Sequence, residues 1–213
     1  MSLNVINSFT KFAGGDSPFY ESDFANNSDG WSTSSATYGG FSTSVPSVWA
    51  YNDTGAPSNS ALINYDLGAG NVPTEFTLRW RFKLDSGTKP PNYTYFWLAE
   101  QDSISPTNAT AWMTQAGGGI GNRINIGNQS AEPAVSFTIN ADTWYYFELV
   151  RTTLTTNGIK LYGYSDENYD DPTLLITGTG GSGSERYLQL KATHNGNSTK
   201  QNIDAIKFWQ KLL

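Results

Sequence analysis

Nine residues constrain the fold of this chain more than any others: FTLRWRFKL, at 76–84. Phe76, Leu78, Trp80, Phe82 and Leu84 fall on one side of a strict alternation, and Thr77, Arg79, Arg81 and Lys83 on the other. Successive side chains of a strand point to opposite faces, so this is a strand with one face on a core and one in water, as antiparallel sheets provide. YTYFWLAEQ (93–101) follows across a Pro-Pro turn, and RINIGN (123–128), AVSFTIN (134–140), YYFELVR (145–151), GIKLYGYSD (158–166), YLQLKATHN (187–195) and IDAIKFW (203–209) continue the series. Gly, Asn, Asp, Ser and Pro separate the runs. Asn157-Gly158 joins two of them as a short hairpin signal. The segment GTGGSGSE (178–185) reads as a flexible loop too short to divide domains. The Asn/Ser/Thr-rich stretch 26–60 carries Trp31, Phe41, Val45, Val48 and Trp49, which predicts short strands with long loops. No stretch keeps a helical period over three turns. Many antiparallel strands, one domain and no helix predict an all-β sandwich or barrel.

Composition says what fills such a core. Of 213 residues, 38% are hydrophobic and 14% aromatic, so a few large rings must replace many aliphatics. DTWYYFELVR (142–151) illustrates this: Tyr145, Phe147 and Leu149 are expected to face inward with Ile159 and Leu161. Tyr146 and Glu148 are expected to face out, near Lys160 and Tyr162. The net charge of −6, without a basic cluster, argues against nucleic acid or an anionic membrane as a partner. No cysteine means no disulfide, no thiolate metal site and no thiol catalysis. The lone histidine, His194, reads as an exposed turn residue in HNGNST and leaves no material for a zinc site or a Ser-His triad. No apolar run approaches the ~20 residues that cross a bilayer. Residues 1–15 have neither the charged nor the apolar region of a signal peptide. An outward-looking composition without an export signal raises the expectation of an extracellular or virion-surface protein, released by lysis of a host cell.

FTLRWRFKLDSG followed by YFWLAE resembles the paired strands of the concanavalin A-like lectin/glucanase superfamily, which also includes laminin-G-like jelly rolls. Within it, the pattern is most similar to the laminarinase-type glycoside hydrolases. DTWYYFELVRTTLTTNGIKLYGYSD resembles that family's hairpin, SDFANNSDGW (22–31) its opening strand and IDAIKFW (203–209) its closing strand. The resemblance implies a two-sheet antiparallel jelly-roll sandwich over 21–213, with 1–20 as an arm or first strand. It also implies a concave face that binds polysaccharide or cell-surface glycan. Hydrolases of this type carry E-x-D-x-x-E, which puts a nucleophile and a proton donor on the groove face. The matching stretch, GNRINIGN (121–128), has Arg123, Asn125 and Asn128 in the acidic places, so the cutting machinery is expected to be absent. Arg and Asn still offer planar donor and acceptor sets for vicinal hydroxyls.

The expected glycan contacts are therefore Trp112, Arg123, Asn125, Asn128, Tyr146, Tyr162 and Glu100. Trp112 is expected in a Gly-flanked loop between groove strands, and Trp49 and Tyr51 in another loop. The resemblance further implies a structural calcium ion where the first and last strands meet, with Asp204 as its carboxylate and Gly40 as a carbonyl donor. The alternative is that Asp204 caps a strand or pairs with a lysine.

These readings give a non-catalytic glycan-binding or surface-display domain, with a bacteriophage decoration, fibre or tail protein as the expected setting and capsid proteins, tail proteins or further copies as partners. One alternative is a divergent glycoside hydrolase or polysaccharide lyase acting on extracellular polysaccharide through Glu100, Asp102 or Glu148. The other is a purely structural capsid-associated jelly roll. Phe9, Phe12 and Phe19 are too apolar to leave in water and are expected to dock on the domain or on a neighbour.

Overall fold

The computed structural model describes residues 17–24, 29–33, 39–42, 48–53, 57–84, 93–102, 109–117, 120–127, 134–137, 139–140, 142–195 and 199–210. These contain no helix. The strands are β1 (Tyr20–Ser22), β2 (Ser32–Thr33), β3 (Gly39–Ser42), β4 (Val48–Asp53), β5 (Pro57–Asp66), β6 (Phe76–Leu84), β7 (Tyr93–Ala99) and β8 (Ala109–Gly117). They continue as β9 (Ile120–Gly127), β10 (Ala134–Ser136), β11 (Tyr145–Arg151), β12 (Ile159–Tyr164), β13 (Thr173–Gly178), β14 (Tyr187–Asn195) and β15 (Thr199–Gln210).

Two antiparallel sheets form the sandwich. The back sheet runs β13-β12-β11-β6-β15-β4-β3, and β1 shares with β4 the edge of β15 that β6 leaves open. The front sheet runs β10-β9-β8-β7-β14-β5-β2. Sequence neighbours such as β6 and β7 thus lie in different sheets, so the Pro-Pro turn assigned to 90–91 joins the layers; it falls outside the described residues.

The alternation read from β6 is the alternation observed. Phe76, Leu78, Trp80 and Phe82 are buried in the core, while Arg79, Arg81 and Lys83 are half-exposed. Trp80 meets Phe96 of the opposite sheet edge-on at 5.0 Å and Phe147 of its own sheet at 5.6 Å. Phe147, Leu149, Ile159 and Leu161 of the β11–β12 pair join the same core, as their period predicts. The joining turn differs from the short hairpin expected. The strands stop at Arg151 and restart at Ile159, with Asn157 left-handed (φ 60°) and the Thr152 amide bonded to the Gly158 carbonyl.

That longer turn makes room for Arg151. Its position matches the core face, and it is fully buried with its guanidinium 4.5 Å from the Phe76 ring. It donates to the carbonyls of Thr74 (2.8 Å), Pro73 (2.7 Å) and Gly180 (3.0 Å), and to Glu185 Oε1 (2.6 Å). The stretch GTGGSGSE is therefore pinned rather than loose. Gly180 is part of the pin: a Cβ there would lie 1.8 Å from the Thr153 carbonyl oxygen.

β15 carries one irregularity with a clear purpose. Its register against β6 shifts between Asp204 and Lys207, with Ala205 at φ 50°. Ile203 and Ile206, three apart, would face opposite ways in a regular strand; the bulge returns both to the core, together with Phe208. At the start of the chain, β1 ends where the opening strand was expected to begin. Phe24 is buried against Trp31, and Asp29 Oδ2 accepts the Phe24 amide (2.8 Å). Phe19 docks its ring on Phe208 at 4.5 Å while remaining partly exposed; Phe9 and Phe12 lie outside the described residues. His194 belongs to β14, at the register shift between Thr193 and Asn195, and not to the turn expected for it.

Candidate functional site

The sandwich has two outer faces, and the expected glycan residues divide between them. On the front sheet, Phe96, Leu98, Leu188, Leu190 and Ile63 point into the core. Alternation sends their neighbours Trp97, Gln189 and Asn64 to the outer face. There they form one row across adjacent strands: Ser32 is opposite Asn64, Asn64 opposite Gln189, and Gln189 opposite Trp97. The row continues through Ala111 of β8 to Gly127 of β9.

Two of its polar members are not solvated. Gln189 is fully buried and Asn64 is 4% exposed. Ser32 Oγ donates to Asn64 Oδ1 (3.0 Å), and Gln189 Nε2 donates to the carbonyl of Gln101 (2.9 Å), which brings the chain after β7 back over the face. Asn64 Nδ2, a donor, and Gln189 Oε1, an acceptor, are without a hydrogen-bond partner among the described residues. They belong to cross-strand neighbours and lie beside the buried Trp97. An unpaired donor and acceptor side by side match what one hydroxyl group offers.

Arg123 and Asn125 occupy β9 positions of the same parity as this row. Asn125 stands opposite Met113, Met113 opposite Tyr95, and Arg123 opposite Gln115 and Ser136. Trp112 is a strand residue of β8 and not a loop residue; its partners are Ile126 and Phe96. Its small polar neighbours Thr110, Thr114 and Gln115 gave the segment a loop-like composition, yet β7 and β9 pair with it on both sides. Trp49 and Tyr51 likewise belong to a strand, β4. Asn128 lies outside the described residues. Glu100 is half-buried just beyond the end of β7, and Asp102 is exposed two residues on.

Tyr146, Tyr162 and Glu148 lie on the opposite side of the molecule, on the outer face of the back sheet. Glu148 is buried and fully engaged: Oε2 accepts from Arg79 Nε (2.5 Å) and Oε1 from the Tyr164 hydroxyl (2.8 Å). Burial, then the negative charge of Glu148, pushes the Tyr162 and Tyr164 phenols up. The expected contacts thus form two sets separated by the thickness of the sandwich.

Asp204 is buried on the outer side of β15, where β1 and β4 meet its edge. Its partner is Arg81, whose Nε and Nη2 both reach Oδ2 (2.9 Å from Nε), so the pairing is with an arginine rather than a lysine. Oδ1 has no hydrogen-bond partner among the described residues, and the amide of the adjacent Ala205 acts on the carboxylate in the same direction as Arg81. Burial raises the carboxyl, and the negative charge of Asp23 adds to the rise. Gly40 does not adjoin Asp204: Gly40 of β3 pairs with Ala50 of β4, which separates it from β15. Among the described residues no group of three or more acidic, His or Cys side chains gathers around a metal-sized space.

No family model matches the sequence. No curated protein sequence matches it either. Solved structures do. The chain is similar to a legume lectin-like domain from Entamoeba histolytica, with a TM-score of 0.58 at 11% identity over 84% of this chain and 88% of that one. It is also similar to the exoplasmic/lumenal domain of VIP36 in its Ca2+/Man3GlcNAc-bound form (TM-score 0.61, 11% identity, 86% of each chain). A third likeness is to Rv0315 of Mycobacterium tuberculosis, described as an immunostimulatory antigen and pseudo β-1,3-glucanase (TM-score 0.60, 10% identity, 92% and 99%). The fold is that of the concanavalin A-like lectins and glucanases. At such identities the likeness fixes the concanavalin A-like fold, and the chemistry has to be read from this chain's own residues.

The sequence reading missed Asn64, Gln189 and Trp97. Their signal is faint but present: each is flanked by core residues at period two, in LINYD, YLQLK and FWL. Alternation could place them on an outer face; it could not tell that this face is sheltered.

Proposed function

We propose that this chain is a non-catalytic glycan-binding domain whose contact surface is the outer face of the front sheet. The observation that carries this reading is the sheltered row Asn64–Gln189–Trp97, with the exposed Ser32 at its end and an unpaired amide donor and acceptor beside an indole. Amide groups recognise hydroxyl pairs, and the buried Trp97 ring holds them from the side. The β9 positions Arg123 and Asn125 share the parity of this row, and the resemblance of GNRINIGN to the hydrolase motif would put them where such an enzyme needs acids. The sugar-bound state of VIP36 and the pseudo-glucanase description of Rv0315 favour binding without hydrolysis as the use of such a sandwich.

A hydrolytic or lyase alternative loses one of its three acids on geometric grounds. Glu148 lies on the back sheet, tied to Arg79 and Tyr164, and cannot face Glu100 or Asp102 across a front groove. A glycosidase needs its two carboxylates within about 5–9.5 Å of each other.

The test is a glycan array with the wild-type chain and Gln189→Leu. Wild type should give signal on a subset of neutral glycans, and the variant should lose most of it while keeping its thermal midpoint within a few degrees. Signal on no glycan favours the structural-subunit reading, and release of reducing sugar from a bound glycan overturns the non-catalytic one. The extracellular or virion-surface setting and its capsid or tail partners rest on composition, and genes for capsid or tail proteins beside this one would support them.

A bound calcium ion is part of the same proposal. Asp204 Oδ1 would supply its carboxylate ligand, with Asp23 and backbone carbonyls of the β1–β15 junction completing an oxygen set. The ion would act structurally, fastening the first strand to the last.

A further inference from the structure

A second site lies on the opposite outer face, on the back sheet. A cavity of about 300 Å³ is lined there by Arg79, Arg81, Tyr146, Tyr169, Lys207 and Trp209. Its volume is at the small end of ligand pockets, suited to one or two sugar rings. Three of the chain's 13 basic residues gather in it against one acid, Glu167, although the protein carries a net charge of −6.

Both arginines are fixed from behind. Arg79 spends its Nε on the buried Glu148, and its guanidinium sits 4.5 Å from the Tyr169 centroid and 5.4 Å from that of Trp209. Arg81 spends Nε and Nη2 on the buried Asp204, with the Trp144 ring at 4.5 Å. That leaves both terminal NH₂ groups of Arg79, and Nη1 of Arg81, without a partner among the described residues. The rotamer entropy that usually weakens an arginine contact is already spent on rings and carboxylates, so the free N–H edges are pre-organised. Tyr169 is itself held, its hydroxyl donating to the Trp80 carbonyl (3.2 Å) and its ring against Tyr164 at 4.8 Å. Lys207 pairs with Glu21 (2.9 Å) at the exposed rim.

A guanidinium with two parallel free N–H groups selects a planar oxyanion, most simply a carboxylate, and binds it in a bidentate fork. The remaining walls are the rings of Tyr146, Tyr169 and Trp209 and the small Ala205, with the amide of Asn168 and the carboxylate of Glu167 at the edge. Rings and amides suit the apolar face and hydroxyls of a pyranose, whereas an acidic peptide side chain would leave that ring surface unused. We propose that this cavity binds the carboxylate-bearing ring of an acidic sugar, a uronate or sialate residue, independently of the front face.

Titration calorimetry with galacturonate, glucuronate, mannuronate and sialyl oligosaccharides tests this, each beside its carboxyl-reduced neutral twin and an acetylated glutamyl peptide. At least one acidic sugar should bind, its twin and the peptide at least tenfold more weakly, and the affinity should fall as salt rises. Arg79→Lys keeps the charge against Glu148 but removes the fork, and Trp209→Ala removes a wall; each should weaken that sugar about tenfold or more. Circular dichroism keeps misfolding apart from lost contact, and Lys207→Ala, at the rim, supplies a third variant should either of the others unfold, with a several-fold loss expected. The proposal is overturned if no acidic sugar binds, if a neutral twin or the peptide binds as well, or if folded variants bind like wild type.

Discussion

Arg151 is the residue on which the end of the sandwich depends. It joins β11 to the segment before β6 and to the loop before β14, through three carbonyls and Glu185. Removing one partner of a buried ion pair leaves a charge in low dielectric, which typically costs about 3–5 kcal/mol. Arg151→Met should therefore lower the denaturation midpoint sharply, and Glu185→Gln by less, since the three carbonyl bonds remain; urea unfolding measures both. The tyrosines give a second expectation at this scale. Tyr20, Tyr164 and Tyr169 are all pushed up, in each case first by burial, with Glu148 adding to it at the last two. A spectrophotometric titration should show exposed tyrosines ionising near pH ~10 and these three only as the protein unfolds. Glu148→Gln should bring the onset for Tyr164 down.

The strand is the scale at which the two faces can be told apart. On the β11–β12 pair, Phe147→Ala should cost about 3–5 kcal/mol, because its ring fills space between Trp80 and Phe137. Lys160→Ala on the outer face of the same pair should stay within about 0.5 kcal/mol. On β15 the bulge brings Asp204 into a buried setting that raises its carboxyl. The sign follows from linkage: the folded chain holds this proton more tightly than the unfolded one. Between the unfolded and the folded pKa, stability from this group therefore falls as pH rises. Calcium at the β1–β15 junction would reverse that loss, so it should raise the thermal midpoint of wild type at neutral pH and do so less as acid protonates Asp204. In Asp204→Asn the calcium response should vanish; an equal response in wild type and variant would place the ion elsewhere or nowhere.

At the scale of the molecule, two sheets leave two outer faces, and each presents a different chemistry. The front face presents a row of amides beside an indole. The back face presents carboxylate-anchored arginines among aromatic rings. A domain built this way should bind a neutral glycan and an acidic one at once. The measurement is competition: saturating one ligand should leave the affinity for the other unchanged within about twofold, since no described side chain belongs to both faces.

Period-two patterning was enough to determine the all-β class, the inward set of β6 and β11, and the outward place of Arg79, Arg81, Tyr146 and Glu148, because alternation is a local property of the backbone. It also fixed Arg123 and Asn125 on one face of β9. Strand order was the work of tertiary structure, as it depends on contacts between segments far apart in the chain. So Tyr146 and Tyr162 could be read as outward but not as opposite in place to Arg123. Arg151 and Gln189 could be read as polar but not as buried, since burial is set by what other segments lay over them. The loop-like composition of 109–117 concealed a strand because hydrogen bonding on both edges by β7 and β9 outweighed weak local propensity. Local geometry chose the face of each side chain; only the assembled sandwich chose its neighbours.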